Sequence, residues 1–252
     1  MAELRNRLYL ATIGAGAPEL AREYGLGLEL DEFCTAANFD EHFDEWDARA
    51  RSAMRMSDRF VFHAPFAELS PCAIDPMIRR AVRFRLDQAA GLCDRYGIAR
   101  MVVHSGFMPR VYFDEWFVEQ SAKFFREFLA GRPDSFELLI ENVLDADPVC
   151  LRDMVEAIGD RRAGVCLDVG HAHVASKAPV REWLRVLAPN LRHVHAHDND
   201  GSFDAHLPPG EGTIGFPKLF GEIAALAPAA TVTFECPDAQ DCVRRLIRDG
   251  VL

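Results

Sequence analysis

Residues 137–168 read ELLIENVLDADPVCLRDMVEAIGDRRAGVCLD. A short apolar run over 137–141 gives way to a helical pattern over 148–158, and a second apolar run follows over 164–168. Such a succession predicts strand, helix, strand. Working outward, the same alternation recurs along the chain. Apolar runs fall at LYLAT (8–12), LGLEL (26–30), RFVFH (59–63) and RMVVH (100–104) on one side, and at RHVHA (192–196) and TVTFE (231–235) on the other. Helical patterns separate them, among them 41–57, 76–96 and 113–130. Eight βα units in series predict an α/β fold, a closed (β/α)₈ barrel.

No linker, low-complexity stretch or charge block interrupts the series, so residues 1–252 are expected to form a single domain. Two βα segments exceed a minimal connector, 64–75 and 197–216, and both carry Pro and Asp. Long loops at the C-terminal rim of a barrel build its active site.

At 252 residues, 49% hydrophobic and 27% charged, the chain buries a core without disulfides or metal to staple it. Seven cysteines at 34, 72, 93, 150, 166, 236 and 242 form no CxxC pair, which fits buried packing residues in a reducing cytoplasm. The start, MAELRNRLYLATIG, lacks a sustained apolar core and a cleavage site, so no signal peptide is expected. No apolar run reaches membrane-spanning length. The net charge is −11, and three of the 28 basic residues are lysines. That balance disfavours binding along a nucleic-acid backbone.

Six consecutive strands end on a side chain able to ligate a cation: His63, His104, Glu141, Asp168, His195 and Glu235. His171 follows closely, and the segment HVHAHDNDGSFDAHLPPGEG (193–212) adds Asp204 and His206, which one residue separates on an irregular loop. Carboxylates crowded on one rim repel each other, and a divalent cation removes that penalty. Histidine and carboxylate donors without cysteine suit Zn²⁺, Mn²⁺ or Fe²⁺.

The motifs FHAPF (62–66), VVHSG (102–106), LIEN (139–142), CLDVGHAH (166–173), HVHAHDNDGSFDAHLPPGEGTIG (193–215) and TFECP (233–237) resemble those of the xylose isomerase-like TIM-barrel superfamily. The similarity spans essentially the whole chain. The superfamily includes endonuclease IV and sugar epimerases. Resemblance to the endonuclease IV branch implies up to three zinc ions. His63 and His104 would hold the first, and Glu141 would bridge it to the second. Asp168, His195 and Glu235 would complete the second, and His171, Asp204 and His206 would hold the third. Resemblance to the epimerases implies one ion on Glu141, Asp168, His195 and Glu235, with Glu141 and Glu235 as catalytic acid and base.

The additional donors favour a multinuclear hydrolase acting on a small sugar-phosphate ester, since clustered ions neutralise phosphate oxygens and activate water. The alternative is a sugar or sugar-phosphate isomerase or epimerase, and a third reading is a sugar-binding protein without turnover. Against DNA as the substrate, the segments 14–18 and 33–40 contain no basic side chain. Phe66 and Phe107 remain candidates for stacking. His197 is expected beside the metal or the substrate, with His193, His195 and His197 on one strand face. Gly210, Glu211 and Gly212 are candidates to cradle a phosphate, and Arg110 to pair with one. The oligomeric state is left open.

Overall fold

The structure is a computed structural model describing residues 5–252. The reading of the start as leaderless rests in part on residues 1–4, which lie outside the described residues.

Eight parallel strands close into a barrel in sequence order: β1 (Leu8–Ala11), β2 (Gly27–Leu30), β3 (Phe60–His63), β4 (Arg100–His104), β5 (Glu137–Glu141), β6 (Ala163–Asp168), β7 (Leu191–Ala196) and β8 (Thr231–Phe234). Closure is made by β8 on β1, with Leu8 opposite Val232 and Leu10 opposite Phe234. Successive side chains alternate between the two faces of each strand. Leu8, Leu28, Phe62, Met101, Leu138, Val165, Val194 and Val232 face the helices and join one continuous apolar core. Tyr9, Val61, Val102, Leu139 and Cys166 form a separate small cluster inside the barrel. Two residues further along, the same inward register reaches His63, His104, Glu141 and Asp168. The site is therefore the upper layer of the barrel's own filling.

The helices are α1 (Ala17–Tyr24), α2 (Ala37–Asp40), α3 (Phe43–Met54), α4 (Pro76–Tyr96), α5 (Asp114–Leu129), α6 (Pro148–Ile158), α7 (Val169–Ala175), α8 (Val180–Leu187), α9 (Phe216–Leu226) and α10 (Ala239–Arg248). Asp75 and Asp147 cap α4 and α6 by accepting from the N–H two residues on, and each precedes a proline. A proline in the first turn forfeits no helical hydrogen bond.

Two expectations change. The helix read over 41–57 is the shorter α3, which starts after His42, whose φ of 55° is left-handed, and the separate short α2 precedes it. The segment after β6 holds two helices, because Ser176 adopts an extended conformation and Pro179 begins the next helix. Strand ends otherwise differ by one residue, the margin at which a last ladder bond decides the boundary. Among the described residues no helix is long and apolar enough to cross a membrane.

Candidate active site

A cavity of about 350 Å³ opens at the C-terminal rim, and His63, His104, Glu141, His171, Asp204, His206 and Glu235 line it. Asp168 and His195 are fully buried directly behind them. All nine donors named from the sequence thus come together.

Glu141 is the hub. Its Oε2 lies 3.4 Å from Nε2 of both His63 and His104, and its Oε1 lies 3.2 Å from His171 Nδ1 and 3.4 Å from His195 Nδ1. Glu235 Oε1 is 3.3 Å from the same His195 nitrogen. Asp204 Oδ2 lies 3.3 Å from His171 Nε2 and 3.0 Å from His206 Nε2. Most of these separations exceed the usual hydrogen-bond length of about 2.9 Å. Donors at the corners of a tetrahedron, each about 2.05 Å from a central ion, stand about 3.3 Å apart.

The outer nitrogens are anchored. His63 Nδ1 donates to its neighbour's carbonyl at Ala64, His171 Nδ1 to Asn142 O and His206 Nδ1 to Glu235 O, each at 2.9 Å. His195 Nε2 donates to Glu29 Oε1 at 3.1 Å. Donation from one ring nitrogen turns the other's lone pair toward the cavity, as in metal-binding histidines. Phe66 stacks on the His104 ring with centroids 4.4 Å apart. His206 keeps its bonds at a left-handed φ of 47°, a conformation that costs a non-glycine residue about 1 kcal/mol or more.

Four buried atoms here have no hydrogen-bond partner: Glu141 Oε2, His195 Nδ1, His197 Nδ1 and Asp204 Oδ1. Orphans of this kind are costly. A divalent cation among carboxylate and imidazole donors satisfies them, so the residues present fit such an ion. Without one, the cluster balances its charge with protons. Burial opposes charging of His63, yet the nearby Glu141 carboxylate raises it to about 9. His206 also resists burial and rises to about 9 through Asp204. Burial lowers His104 to about 3. Burial raises Glu235, whereas Glu141, equally buried, is held well below its ordinary value by His104 and His195.

His197 sits on the flank of this cluster. Its Nε2 donates to Asp168 Oδ2 at 3.0 Å, and its ring stacks on His206 at 3.8 Å. Gly170 makes room for it, since a Cβ there would stand 2.0 Å from the imidazole.

The structure places three of the groups read as substrate contacts away from the open cavity. Glu211 lies outside the cavity, paired with Arg245. Arg110 is exposed on the turn after β4 and does not line the cavity either. The amides near Gly210 and Gly212 are already used, because the buried Asp198 carboxylate accepts from Gly210 N at 2.9 Å and Ile214 N at 3.2 Å. A Cβ on residue 212 would stand 2.3 Å from that carboxylate, so Gly212 permits the wrap. The protein's own anion fills the cradle read as a phosphate site. Phe107 packs edge-on against Phe117 and is a partly buried residue at the margin of the core.

Sequence reasoning missed Glu29 and Asp31 of the second βα unit. Asp31 lines the cavity, and Glu29 is completely buried beneath it. The available signal was a lone acid in the apolar run LGLEL, on the inward register.

A model of the family described as xylose isomerase-like TIM barrel matches residues 18–250. The chain belongs to that family. The uncharacterised protein MJ1311 of Methanocaldococcus jannaschii is 26% identical, the alignment covering 81% of this chain and 78% of the relative. Among solved structures, the TTHB071 protein from Thermus thermophilus, soaked with ZnCl₂, is 25% identical with a TM-score of 0.77, covering 97% of this chain and 98% of that one. A D-tagatose 3-epimerase-like protein superposes with a TM-score of 0.79 at 20% identity, covering 97% of each chain.

Beside the site, Asp145 Oδ2 accepts from Ser105 Oγ at 2.7 Å and from Val143 N at 2.9 Å, while Oδ1 is unpartnered. Burial lifts its carboxyl from 3.8 to about 6. The proton is held more tightly in the folded state, so stability is present below the unfolded value and is lost as pH rises toward the folded one. Asparagine keeps both accepted bonds and never ionises. Relative to the wild type, Asp145→Asn is expected to gain stability between pH 4 and pH 7, by up to about 3 kcal/mol. Denaturant titrations at several pH values check this, and a difference that does not change with pH refutes it.

Proposed function

We propose that the protein is a metal-dependent isomerase or epimerase of a small sugar-like carbonyl compound, with Glu141 and Glu235 exchanging the substrate's carbon-bound proton. The observation that carries this reading is the pair of glutamates converging on one histidine nitrogen, in a cavity whose lining includes four carboxylates and neither Lys nor Arg. Such a lining suits an uncharged polyol better than a phosphate dianion. The self-filled Asp198 cradle and the absence of Arg110 from the cavity point the same way. The preference for phosphoester hydrolysis drawn from the ligand count is revised accordingly. The D-tagatose 3-epimerase-like protein with the same fold supports the choice, and the zinc-soaked relative supports a divalent ion such as Zn²⁺.

Glu141, Asp168, His195 and Glu235 would hold the ion. When bound, it polarises the substrate's carbonyl and neighbouring hydroxyl oxygens. One glutamate takes the proton from the carbon beside the carbonyl as the C–H electron pair forms a C=C bond and the carbonyl electrons move to oxygen. The other returns a proton to carbon as the carbonyl reforms. His171, Asp204 and His206 stand to one side of this set and would hold a further ion that the proton transfer does not use.

A second reading, multinuclear phosphoester hydrolysis, keeps one observation in its favour: the further donor groups of His63 and His104 with Glu141, and of His171, His197, Asp204 and His206. Incubation of metal-loaded protein with ketopentoses and ketohexoses in D₂O separates the two. Deuterium is expected at the carbon beside the carbonyl of recovered sugar. Release of phosphate from a phosphoester panel, with no carbon-bound deuterium in any sugar, would overturn the proposal.

A further inference from the structure

We propose that Glu29 on β2 is a positioning residue. It fixes the His195 ring with Nε2–H held below the site and Nδ1 turned into the cavity, and so sets the affinity of the ion held by Glu141, Asp168, His195 and Glu235. The inference rests on the metal reading above.

The interior of a (β/α)₈ barrel is ordinarily filled by branched apolar side chains. Here the layer beneath the cavity holds a carboxylate with no exposure. A buried charge is costly unless it is hydrogen-bonded from several sides, and Glu29 is. Oε1 accepts from His195 Nε2 at 3.1 Å. Oε2 accepts from Thr233 Oγ1 at 2.5 Å and lies 3.1 Å from His193 Nε2. His193 is secured in turn at Nδ1 by Thr231 Oγ1, 2.5 Å away. The two oxygens therefore have separate duties. Oε2 is pinned by β7 and β8, which leaves Oε1 aimed at His195.

Beyond the ring, His195 Nδ1 has no hydrogen-bond partner and stands between Glu141 Oε1 and Glu235 Oε1. A neutral imidazole that donates from Nε2 carries its lone pair on Nδ1. Removing Glu29 frees the ring to rotate or to take the other tautomer, and then an N–H faces the place where a lone pair is needed. Carboxylates behind ligating histidines act in this way in metal sites generally, and their loss weakens metal binding by about 10- to 100-fold. Thr233 and His193 have no contact with the cavity. Their role is to hold Glu29.

The test uses the full chain, stripped of metal and titrated with zinc alone against a chromophoric chelator, with wild type, Glu29→Gln and Glu29→Leu compared. The Leu variant is expected to bind one zinc equivalent about 10- to 100-fold more weakly than wild type. Glutamine retains an acceptor oxygen, and its affinity is expected to stay within about tenfold of wild type. In zinc-loaded, ¹⁵N-labelled protein, a slowly exchanging Nε2–H of His195 is expected in wild type and in Glu29→Gln. Circular dichroism and thermal melting report whether each variant is folded. Zinc bound as tightly by a folded Glu29→Leu as by wild type overturns this inference alone, and so does a Glu29→Gln protein as weak as the leucine variant. Should the leucine variant fail to fold, the His195 signal in Glu29→Gln decides, and its appearance on Nδ1 overturns the assignment. A wild-type protein that binds no zinc overturns the metal reading itself.

Discussion

Replacing Glu235 by Gln is expected to abolish measurable deuterium incorporation and to lower kcat by about 10²- to 10⁴-fold at saturating metal, the range of a lost general acid or base. The amide keeps the shape and one oxygen, so His195 Nδ1 retains a neighbour, while the backbone carbonyl that anchors His206 is untouched. What disappears is the exchangeable proton. Burial raises the Glu235 carboxyl, whereas Glu141 is held low by the histidines around it. Two carboxylates whose proton affinities are driven apart form a natural acid and base pair. Glu141→Gln is expected to lose exchange as well, and in addition to weaken ion binding, because one amide oxygen cannot serve both the His63 and His104 side and the His195 side. Isotope exchange followed by NMR, with metal content measured on the same samples, checks both. Exchange within tenfold of wild type in Glu235→Gln would remove that residue from the chemistry.

The barrel was legible because its signal is local and repeated eight times. Apolar runs of strand length, interrupted by amphipathic stretches, leave few architectures open. The nine candidate donors were legible for a related reason, since all but Asp204 and His206 end a strand or follow one closely, and parallel strands of a closed barrel deliver their ends to one rim. Glu29 was hidden by its surroundings. It lies within an apolar run on the strand preceding the six that end in ligands, and its partners His193, His195 and Thr233 are more than 160 residues away. The glycines at 210 and 212 misled for the opposite reason. Their sequence matches an anion cradle, and the anion is Asp198, a residue whose role depends on the antiparallel bridge between Asp198 and Leu207 folding the loop back on itself. Arg110 and Glu211 stand outside the cavity for a related reason. A charged loop residue near a strand end can turn toward the cavity or away, and only the tertiary fold sets its direction.

The double variant Asp204→Ala, His206→Ala is expected to remove one metal equivalent while leaving the barrel folded and carbon-bound deuterium exchange within about tenfold of wild type. Asp204 and His206 both stand on the long loop between β7 and α9, outside the strand ladder, and each is about one third exposed. Their loss opens no cavity in the apolar core, so the melting transition stays cooperative. Asp204 faces His171 Nε2 and His206 faces Asp204, so two of the four side chains that could hold an ion there, with His171 and His197, vanish together. The two imidazoles that remain, His171 and His197, are too few ligands to hold an ion tightly. The proton-transfer pair Glu141 and Glu235, with Asp168 and His195, stays intact on the far side of His171. Two measurements on one preparation therefore give a sharp contrast: metal content by elemental analysis falls by one equivalent, and isotope exchange persists. A collapse of turnover on a phosphoester by about 10² or more, as when a charge-stabilising group is removed, would instead place the reaction at the loop. The fate of the third donor group thus decides between carbon–hydrogen and phosphorus–oxygen chemistry, because the first needs only the glutamates around His195 and the second needs every cation the rim can hold.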